Sequence, residues 1–517
     1  MAPPTSAAPR SDFGLTKFSN NAHPTWWKDP GLRRLNILLL SSFLGSIANG
    51  YDVSLISGLE AIPQWFNDIG GLENANTLGL LIAAYAFGGI ICFFPAPWVV
   101  DNFGRRWGII LGDVGIIAAV VGQCFCKTAV QFLGTRILLG FFSLFNSIGS
   151  TALLSELAHP RQRAVVGALF NTFFFVGAIT AAWTSFGTHN LNTSWAWRTP
   201  VITQLFWTTV QLVFVLFTPE SPRWLVNNQR PDEAKRILTK YHANGYEDDE
   251  LVKAEFAEIC ASIGLAQSTK ITWASLFATA GNRKRVFICL GLGLATQWVG
   301  NGIISYYFAP VLETVGITNP TQQQGINGGL QIYNWILSIA GALLAERAGR
   351  RRLFIVSSCT MLLCMILVLA CSAVFANTGS HAAGTAVIVF LFLFLGGYVI
   401  GFTPIPILYI NEIWPTELRA KGGSVYWFAQ TLAVFFNQYV NPIALRQIGW
   451  RYYFVYVGVL VAVIGFVYFF VPETKGSSLE EVAGIFDKQY AKAVSRPQVE
   501  ARIKEEEAEI STVEQVV

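Results

Sequence analysis

Charged side chains are scarce in this 517-residue sequence. Asp, Glu, Lys and Arg make up 13% of it, whereas 53% of its residues are hydrophobic. Soluble domains carry about 25% charged residues, so the composition excludes an ordinary soluble protein. Neither the five histidines nor the eight cysteines have a metal-ligand spacing. The sequence therefore predicts a membrane protein in which the cysteines are structural and no metal or other cofactor is bound.

Lysine and arginine are absent from four loops between apolar segments, at 60–77, 187–197, 311–326 and 376–384. Basic residues collect instead at 105–106, 161–163, 223–285, 350–352 and 419–421. Because cytosolic loops of membrane proteins carry the excess of Lys and Arg, both termini are predicted to lie in the cytosol, with an even number of spans. The net charge of +4 then reflects topology, and no nucleic-acid partner is expected.

About twelve apolar segments are long enough, at roughly 20 residues each, to cross a membrane. They lie near 35–58, 78–100, 107–126, 129–157, 164–187, 199–218, 286–310, 327–346, 353–375, 385–409, 424–444 and 451–471. The segment between the sixth and seventh spans is charged and amphipathic, which predicts cytosolic helices outside the membrane.

Polar motifs recur in one order about 250 residues apart, which is the signature of an internal duplication. The pairs are DNFGRR at 101–106 with ERAGRR at 346–351, SELAHPRQR at 155–163 with NEIWPTELR at 411–419, WRTP at 197–200 with WRYY at 450–453, and PESPR at 219–223 with PETKG at 472–476. We predict an all-α membrane protein with 12 transmembrane helices in two pseudo-symmetric six-helix bundles. Its predicted parts are a cytosolic N-terminal tail (1–34), an N-terminal bundle (35–221), a cytosolic helical linker (222–285), a C-terminal bundle (286–471) and a cytosolic C-terminal tail (472–517).

The same motifs carry a family resemblance over about residues 35–485. The Gly-Arg-Arg runs after spans two and eight, PESPRWL at 219–225 and PETKGSSLEEV at 472–482 resemble the sugar porter family of the major facilitator superfamily. The resemblance implies the major facilitator fold and a carrier that moves a small-molecule sugar by alternating access. The resemblance therefore predicts that the protein is a transporter and not an enzyme.

Paired charges at the predicted cytosolic ends suggest a latch. Glu156 and Glu412 each precede an arginine by seven residues, at Arg163 and Arg419. Ion pairs there are predicted to hold the two halves together while the outer side is open. Alternatively, the arginines only mark the cytosolic side, as basic residues do in membrane proteins, but this explanation does not account for the glutamates. The resemblance places the gating network at Arg105, Glu156, Arg163, Glu220, Arg350, Glu412, Arg419 and Glu473.

A carboxylate lies inside the first span, in GYDVSLISG at 50–58. Asp52 and Arg136 of span four are both expected about 9 Å below the outer end, so we predict that they pair. Protonation of Asp52 would release Arg136, which makes the pair a proton-coupling hypothesis; the alternative is a static ion pair. The resemblance supports coupling, since proton-coupled sugar porters carry Asp at this position. Asp113 of span three is expected to reach cytosolic water and is not assigned to coupling.

Amide side chains recur on the faces of several spans, and amides suit a sugar because they both donate and accept hydrogen bonds. Helix packing is the alternative role for a single amide in a membrane helix. Aromatic rings add stacking surfaces, and Pro404 with Pro406 predicts a break in span ten. The predicted substrate-binding residues are Asn171, Gln297, Asn301, Ser305, Tyr306, Tyr409, Gln430 and Asn437, with Tyr306 as part of an outer gate.

The site departs from the usual hexose pattern of the family. Thr296 and Gly302 replace a Gln and an Asn of the span-seven motif, Ile407 replaces a Trp, and Asn171 replaces a Gln. The sequences QWVGNGIISYY and TPIPILYINEIWPTELRAKG are more similar to the fungal lactose permease and cellodextrin transporter branch. That branch implies a disaccharide or short β-linked oligosaccharide, although some of its members take monosaccharides.

We predict a proton-coupled sugar symporter of the plasma membrane, with protons as the coupling ion. The alternatives are a passive hexose facilitator and a sugar sensor that does not transport. Membrane lipid surrounds the protein in this prediction, and no nucleic acid or obligate protein partner is expected. Asn192, in the sequon Asn-Thr-Ser of a predicted outer loop, is a predicted glycosylation site.

Overall fold

The structure is a computed structural model that describes residues 18–72, 74–268, 272–415, 418–475, 482 and 485–486. Residues 1–17 of the predicted N-terminal tail and most of the predicted C-terminal tail lie outside the described residues. Every element of the described chain that is longer than an isolated bridge is a helix.

The N-terminal half contains the helices that correspond to spans one to six. They are α1 (Pro30–Leu59), α2 (Pro63–Asp68), α3 (Ala75–Cys92), α4 (Pro95–Phe103), α5 (Arg105–Cys124), α6 (Ala129–Leu157), α7 (Arg163–Thr188) and α8 (Trp195–Phe217). Helix α1 packs against α7 and α8, and α6 packs against α3 and α5. Glycines allow the close approach of α1 and α7, because a Cβ atom at Gly50 would overlap the carbonyl oxygen of Phe174.

Short helices form the linker that follows. They are α9 (Pro222–Asn227), α10 (Pro231–His242) and α11 (Glu250–Ser268), with a 3₁₀ turn at Trp273–Phe277. The chain before α1 binds them, because Asn21 donates its backbone N–H to Asp249 at 2.7 Å. We call the side of the molecule that carries the linker the inner side and the opposite side, where α1 ends, the outer side.

The C-terminal half repeats the arrangement with two breaks. Its helices are α12 (Ala280–Trp298), α13 (Asn301–Tyr306), α14 (Phe308–Glu313), α15 (Pro320–Ala348), α16 (Arg350–Thr378), α17 (His381–Phe402), α18 (Ile405–Ile413), α19 (Arg419–Ile448) and α20 (Tyr453–Phe470). Gly300 separates α12 from α13 with a φ of 107°, in the left-handed region that favours glycine. Helices α17 and α18 separate at Pro404, as the prolines predicted.

Eight stretches of the described chain are long and apolar enough to cross a membrane, and the stretch Lys421–Phe470 contains two helices, α19 and α20. The three other predicted spans coincide with α1, with α12 and α13, and with α15. These three have polar faces that lower their hydropathy, and most of their polar residues are buried inside the protein. A helix that lines an interior polar site has this composition.

The two halves meet on the outer side. Helix α3 packs against α19, and α7 packs against α15. Gln324 of α15 donates to the carbonyl oxygen of Gly58 in α1 at 2.6 Å, and the His189 ring lies 2.8 Å from the Thr321 hydroxyl. Tyr306 and Tyr307 complete an apolar cluster with Leu59 of the other half. The described conformation is therefore closed on its outer side.

Candidate functional site

Asp52 lies fully buried in α1, beside polar side chains from two neighbouring helices, α6 and α8. Its carboxylate accepts hydrogen bonds from the Gln204 amide of α8 and from the Ser143 hydroxyl of α6, the latter at 3.3 Å. Arg136 of α6 is also buried and donates to the main-chain carbonyl of Asp52 at 3.3 Å. The two predicted coupling residues thus lie side by side, but in this conformation Arg136 contacts the backbone of Asp52 instead of its carboxylate.

The guanidinium of Arg136 has few other partners. It lies over the ring of Tyr85, with 5.2 Å between the guanidinium carbon and the ring centre, and its Nε is buried without a hydrogen-bond partner among the described residues. A buried cation stabilised by one carbonyl and one ring is poised to exchange partners. The sequence prediction missed Gln204 and Ser143. Both contact Asp52 only because their sides of α8 and α6 face α1, which the sequence does not reveal.

Asp113 does not reach water as the sequence predicted. It is fully buried in α5 and accepts a hydrogen bond from the Asn146 amide, which also donates to Gln211 at 2.8 Å. Gln211 in turn donates to Ser150 at 3.1 Å. The expectation was wrong because α5 is covered on this face by α6 and α8. Asp113 therefore belongs to a second buried polar network in the N-terminal half.

The break between α12 and α13 brings three predicted substrate residues together. Asn437 of α19 donates to the main-chain carbonyl of Gln297 at 2.9 Å. The space that it occupies is left by Gly302, where an added Cβ would overlap the Asn437 amide nitrogen. Gln297 and Asn301 are buried, and their side-chain oxygens have no hydrogen-bond partner among the described residues. Buried acceptors without donors mark the place where a ligand with hydroxyl groups can bind.

Helix α15 carries a polar face that the sequence prediction missed. Gln324, Asn327, Gln331 and Asn334 follow one another at helical spacing and are all buried. Asn327 and Gln331 bond to each other at 3.2 Å, while the side-chain oxygens of Gln324 and Asn334 lack partners among the described residues. The run QQQGINGGLQIYN in an otherwise apolar span was the available signal.

The other predicted substrate residues are three half-buried polar residues and two tyrosines. Gln430 is half-buried, with an amide oxygen that lacks a partner among the described residues, and Asn171 and Ser305 are also half-buried. Tyr306 is buried in the outer apolar cluster, where a gate was predicted. Tyr409 differs from the prediction, because its hydroxyl donates to the carbonyl of Pro472 at 3.0 Å, near the inner end of α18. In this conformation it joins α18 to the segment that follows α20.

The predicted gating network of the N-terminal half links α5 to α6 and to the segment between α8 and α9. Arg105 holds Glu156 through two nitrogens, at 3.0 and 3.3 Å. Glu220 accepts the backbone N–H groups of Arg105 and Arg106, each at 3.1 Å, at the start of α5. A carboxylate at a helix N-terminus satisfies free N–H groups and matches the helix dipole. Burial raises the pKa of Glu220, and these donors only partly offset that effect.

The C-terminal half repeats this network. Arg350 contacts Glu412 through two nitrogens at 3.1 and 2.7 Å, and Glu473 accepts the backbone N–H of Arg350 at 2.9 Å. Burial works to raise the pKa of Glu473, but four backbone N–H donors outweigh it and lower that pKa. The duplicated motifs of the sequence thus form equivalent ion pairs and hydrogen bonds in the two halves.

These ion pairs connect helices of the same half, which differs from the predicted latch between halves. Arg163 pairs with Glu255 of the linker at 3.0 Å, and Arg419 begins α19. The latch was predicted for a conformation that is open on its outer side, whereas the described conformation is closed there. In the described conformation, these residues therefore form two ion-pair networks, one in each half.

A family model described as "Sugar (and other) transporter" matches residues 38–486. The chain belongs to this family. Two curated relatives are "Hexose transporter 2" of Kluyveromyces lactis, 28% identical over 88% of this chain and 83% of the relative, and "MFS-type transporter oryC" of Aspergillus oryzae, 29% identical over 89% and 88%. The family is one of transporters, in agreement with the prediction that the chain is not an enzyme.

Solved structures of XylE, the xylose transporter from E. coli, share the fold. A partially occluded inward-open form aligns with a TM-score of 0.73 at 20% identity, covering 86% of this chain and 99% of that one. An inward-open form aligns with a TM-score of 0.72 at 21% identity, covering 88% and 100%. The prediction of an integral membrane protein with the major facilitator fold is confirmed.

Proposed function

We propose that this protein takes up a sugar together with protons by alternating access across the plasma membrane, with both termini in the cytosol. The observation that carries the sugar site is a set of buried amide oxygens on four helices of one half, none of which has a hydrogen-bond partner among the described residues. They belong to Gln297, Asn301, Asn334 and Gln430. A sugar hydroxyl donates to such an oxygen, so bound sugar would satisfy groups that are costly to leave unpaired.

The relatives and the sequence motifs favour different sugars. Two of the similar curated proteins are named hexose or glucose transporters, whereas the motifs of spans seven and ten are more similar to the lactose and cellodextrin branch. Ile407 is smaller than the Trp of the usual hexose pattern, which favours a roomier site, whereas the Asn437 amide fills the space left by Gly302. Glucose, lactose and cellobiose are therefore the substrates to compare.

Proton coupling rests on Asp52 and Arg136. A neutral Asp52 suits the described arrangement, in which Arg136 donates to the backbone and the carboxyl group is fully buried. Loss of the proton would create a buried carboxylate, which attracts the adjacent guanidinium. The exchange of partners links the charge of Asp52 to the packing of α1 against α6, and so to the conformation of the half.

The deciding experiment measures uptake of labelled glucose, lactose and cellobiose in transporter-deficient cells at acidic and neutral external pH, with and without a protonophore. Accumulation against the gradient that collapses with the protonophore supports symport. In Asp52→Asn, we expect accumulation to be lost while exchange of sugar across the membrane persists. Asp248→Asn, at an exposed linker position, serves as the matched control.

Two other outcomes would redirect the proposal. Uptake that only equilibrates, and that Asp52→Asn leaves unchanged, would identify a passive facilitator in which the pair is structural. Surface expression without uptake or exchange of any of the three sugars would contradict the proposal for these substrates and favour a sensor. Glycosylation at Asn192, an exposed residue, would place that loop outside the cell.

A further inference from the structure

Glu60 follows the last residue of α1 at the outer side and is buried at the meeting of the two halves. Only 7% of the residue is exposed, and neither carboxylate oxygen has a hydrogen-bond partner among the described residues. A buried carboxyl group without donors is stable only when it carries a proton. The coupling pair does not involve Glu60, which lies eight residues beyond Asp52 in the sequence.

The groups around Glu60 come mainly from the other half. Helix α1 contacts α13 and α14 at this end, and Gln324 of α15 binds the neighbouring carbonyl of Gly58. The charged groups that act on Glu60 are Glu313 of α14 and Arg446 of α19, both exposed, and the phenol of Tyr307 also lies within electrostatic range. Burial raises the pKa of Glu60 well above its usual value, Glu313 adds to that effect, and Arg446 opposes it.

Opening of the outer side would remove this environment. When the halves separate, water reaches the Glu60 carboxyl group and favours its ionised form. The closed conformation therefore holds a proton that the open conformation releases. By linkage, lower external pH favours closure, and closure weakens as the pH rises through the pKa that Glu60 has in the closed conformation.

We propose that Glu60 is a proton-binding site of the outer gate, at which an external proton stabilises the closed conformation. This proton returns to the side from which it came each time the gate reopens. It sets the balance of conformations and is not transported, unlike the proton proposed for Asp52. The inference uses the proposed orientation of the outer side toward the medium, but it does not require proton-coupled accumulation.

A cysteine reporter tests the proposal in intact cells. Ser185 of α7 is fully buried beside Gly58, so Ser185→Cys places a thiol that becomes reachable only when the outer side opens. We measure how fast a membrane-impermeant reagent forms a mixed disulfide with this thiol. At each pH the rate is corrected for the reactivity of a cysteine at an exposed position of an outer loop, in Thr318→Cys. We expect corrected labelling to rise several-fold from acidic to mildly alkaline medium.

Matched variants separate Glu60 from other groups. Glu60→Gln imitates the protonated side chain, so labelling should stay low at every pH, with normal surface expression. Glu313→Gln removes an exposed carboxylate of the same region and should retain the pH response. Asp52→Asn should also retain it, so a failed coupling hypothesis leaves this test intact.

Three results would overturn the proposal. The first is an unchanged pH response in Glu60→Gln. The second is higher labelling of Glu60→Gln at all pH values, which would mean that an ionised Glu60 holds the gate closed through Arg446. The third is that the corrected labelling of Ser185→Cys, in a protein that retains Glu60, does not change with pH. This result counts against the proposal whether the labelling is high or undetectable.

Discussion

The side-chain amide of Asn437 in α19 occupies the space that a side chain at position 302 in α13 would fill. From there it donates to the carbonyl oxygen of Gln297, just before the break at Gly300. One residue thus joins α19 to both sides of the broken span. Gly302 and Asn437 are therefore a matched pair in the described conformation.

A side chain at position 302 should disturb this join. Gly302→Ala would push its Cβ into the Asn437 amide, and overpacking of this kind costs about 1–3 kcal/mol. We expect weaker apparent sugar affinity at normal surface expression, measured by concentration-dependent uptake. Gly423→Ala in α19 is the control, since no heavy atom lies within 4 Å of the added Cβ. Equal uptake by both variants would remove Gly302 from the site.

Gln297 should contribute directly to sugar binding. Its side-chain oxygen is buried without a partner among the described residues, so it is available to accept a sugar hydroxyl. Loss of one such hydrogen bond is worth about 0.5–1.5 kcal/mol, and Gln297→Ala should raise the apparent KM by up to about tenfold. Gln447→Ala, at an exposed position of α19, should leave the KM unchanged. An unaltered KM in Gln297→Ala would exclude this contact.

The sequence predicted the helical fold well because membrane spans and duplicated motifs are strong, regular signals. It also placed Asp52 and Arg136 at one depth, since helical rise alone determines depth. It did not predict that Arg136 contacts a backbone carbonyl, because the choice of acceptor depends on how Gln204 and Ser143 surround the carboxyl group. The partner of Tyr409 was also not predictable, because its hydroxyl donates to the carbonyl of Pro472, which lies far from it in the sequence.

The two inner ion pairs should contribute equally to stability if the duplication is also functional. Arg105→Lys and Arg350→Lys keep the charge but lose the two-nitrogen contact with Glu156 and Glu412. We expect each to lower the free energy of unfolding by about 2 kcal/mol, as for other charge-assisted hydrogen bonds. Thermal unfolding of the purified protein in detergent measures the effect, with exposed Arg352→Lys as the control. A large loss in only one half would show that the repeats have diverged in function.

The linker is joined to the N-terminal half by a buried ion-pair cluster. His242 of α10 lies 2.8 Å from the Glu255 carboxylate through one ring nitrogen and 3.2 Å from the carbonyl of Leu157 through the other. Each ring nitrogen of His242 therefore faces an acceptor oxygen. Arg163 forms an ion pair with the same carboxylate at 3.0 Å. Burial tends to raise the pKa of Glu255, but His242 and Arg163 outweigh it and lower that pKa.

Glu255→Gln should therefore loosen the linker. Removal of one partner from a buried pair costs about 3–5 kcal/mol, and the partial exposure of Arg163 favours the lower value. A carboxylate with a lowered pKa stabilises the fold above its unfolded pKa and loses that effect as pH falls through its folded pKa. The difference in thermal stability between the parent and Glu255→Gln should thus be largest at neutral pH and become smaller on acidification.

Hydrogen exchange of α10 and α11 should rise in Glu255→Gln and stay unchanged in Glu258→Gln, which alters an exposed residue of the same helix. Unchanged exchange in Glu255→Gln would mean that the cluster does not hold the linker.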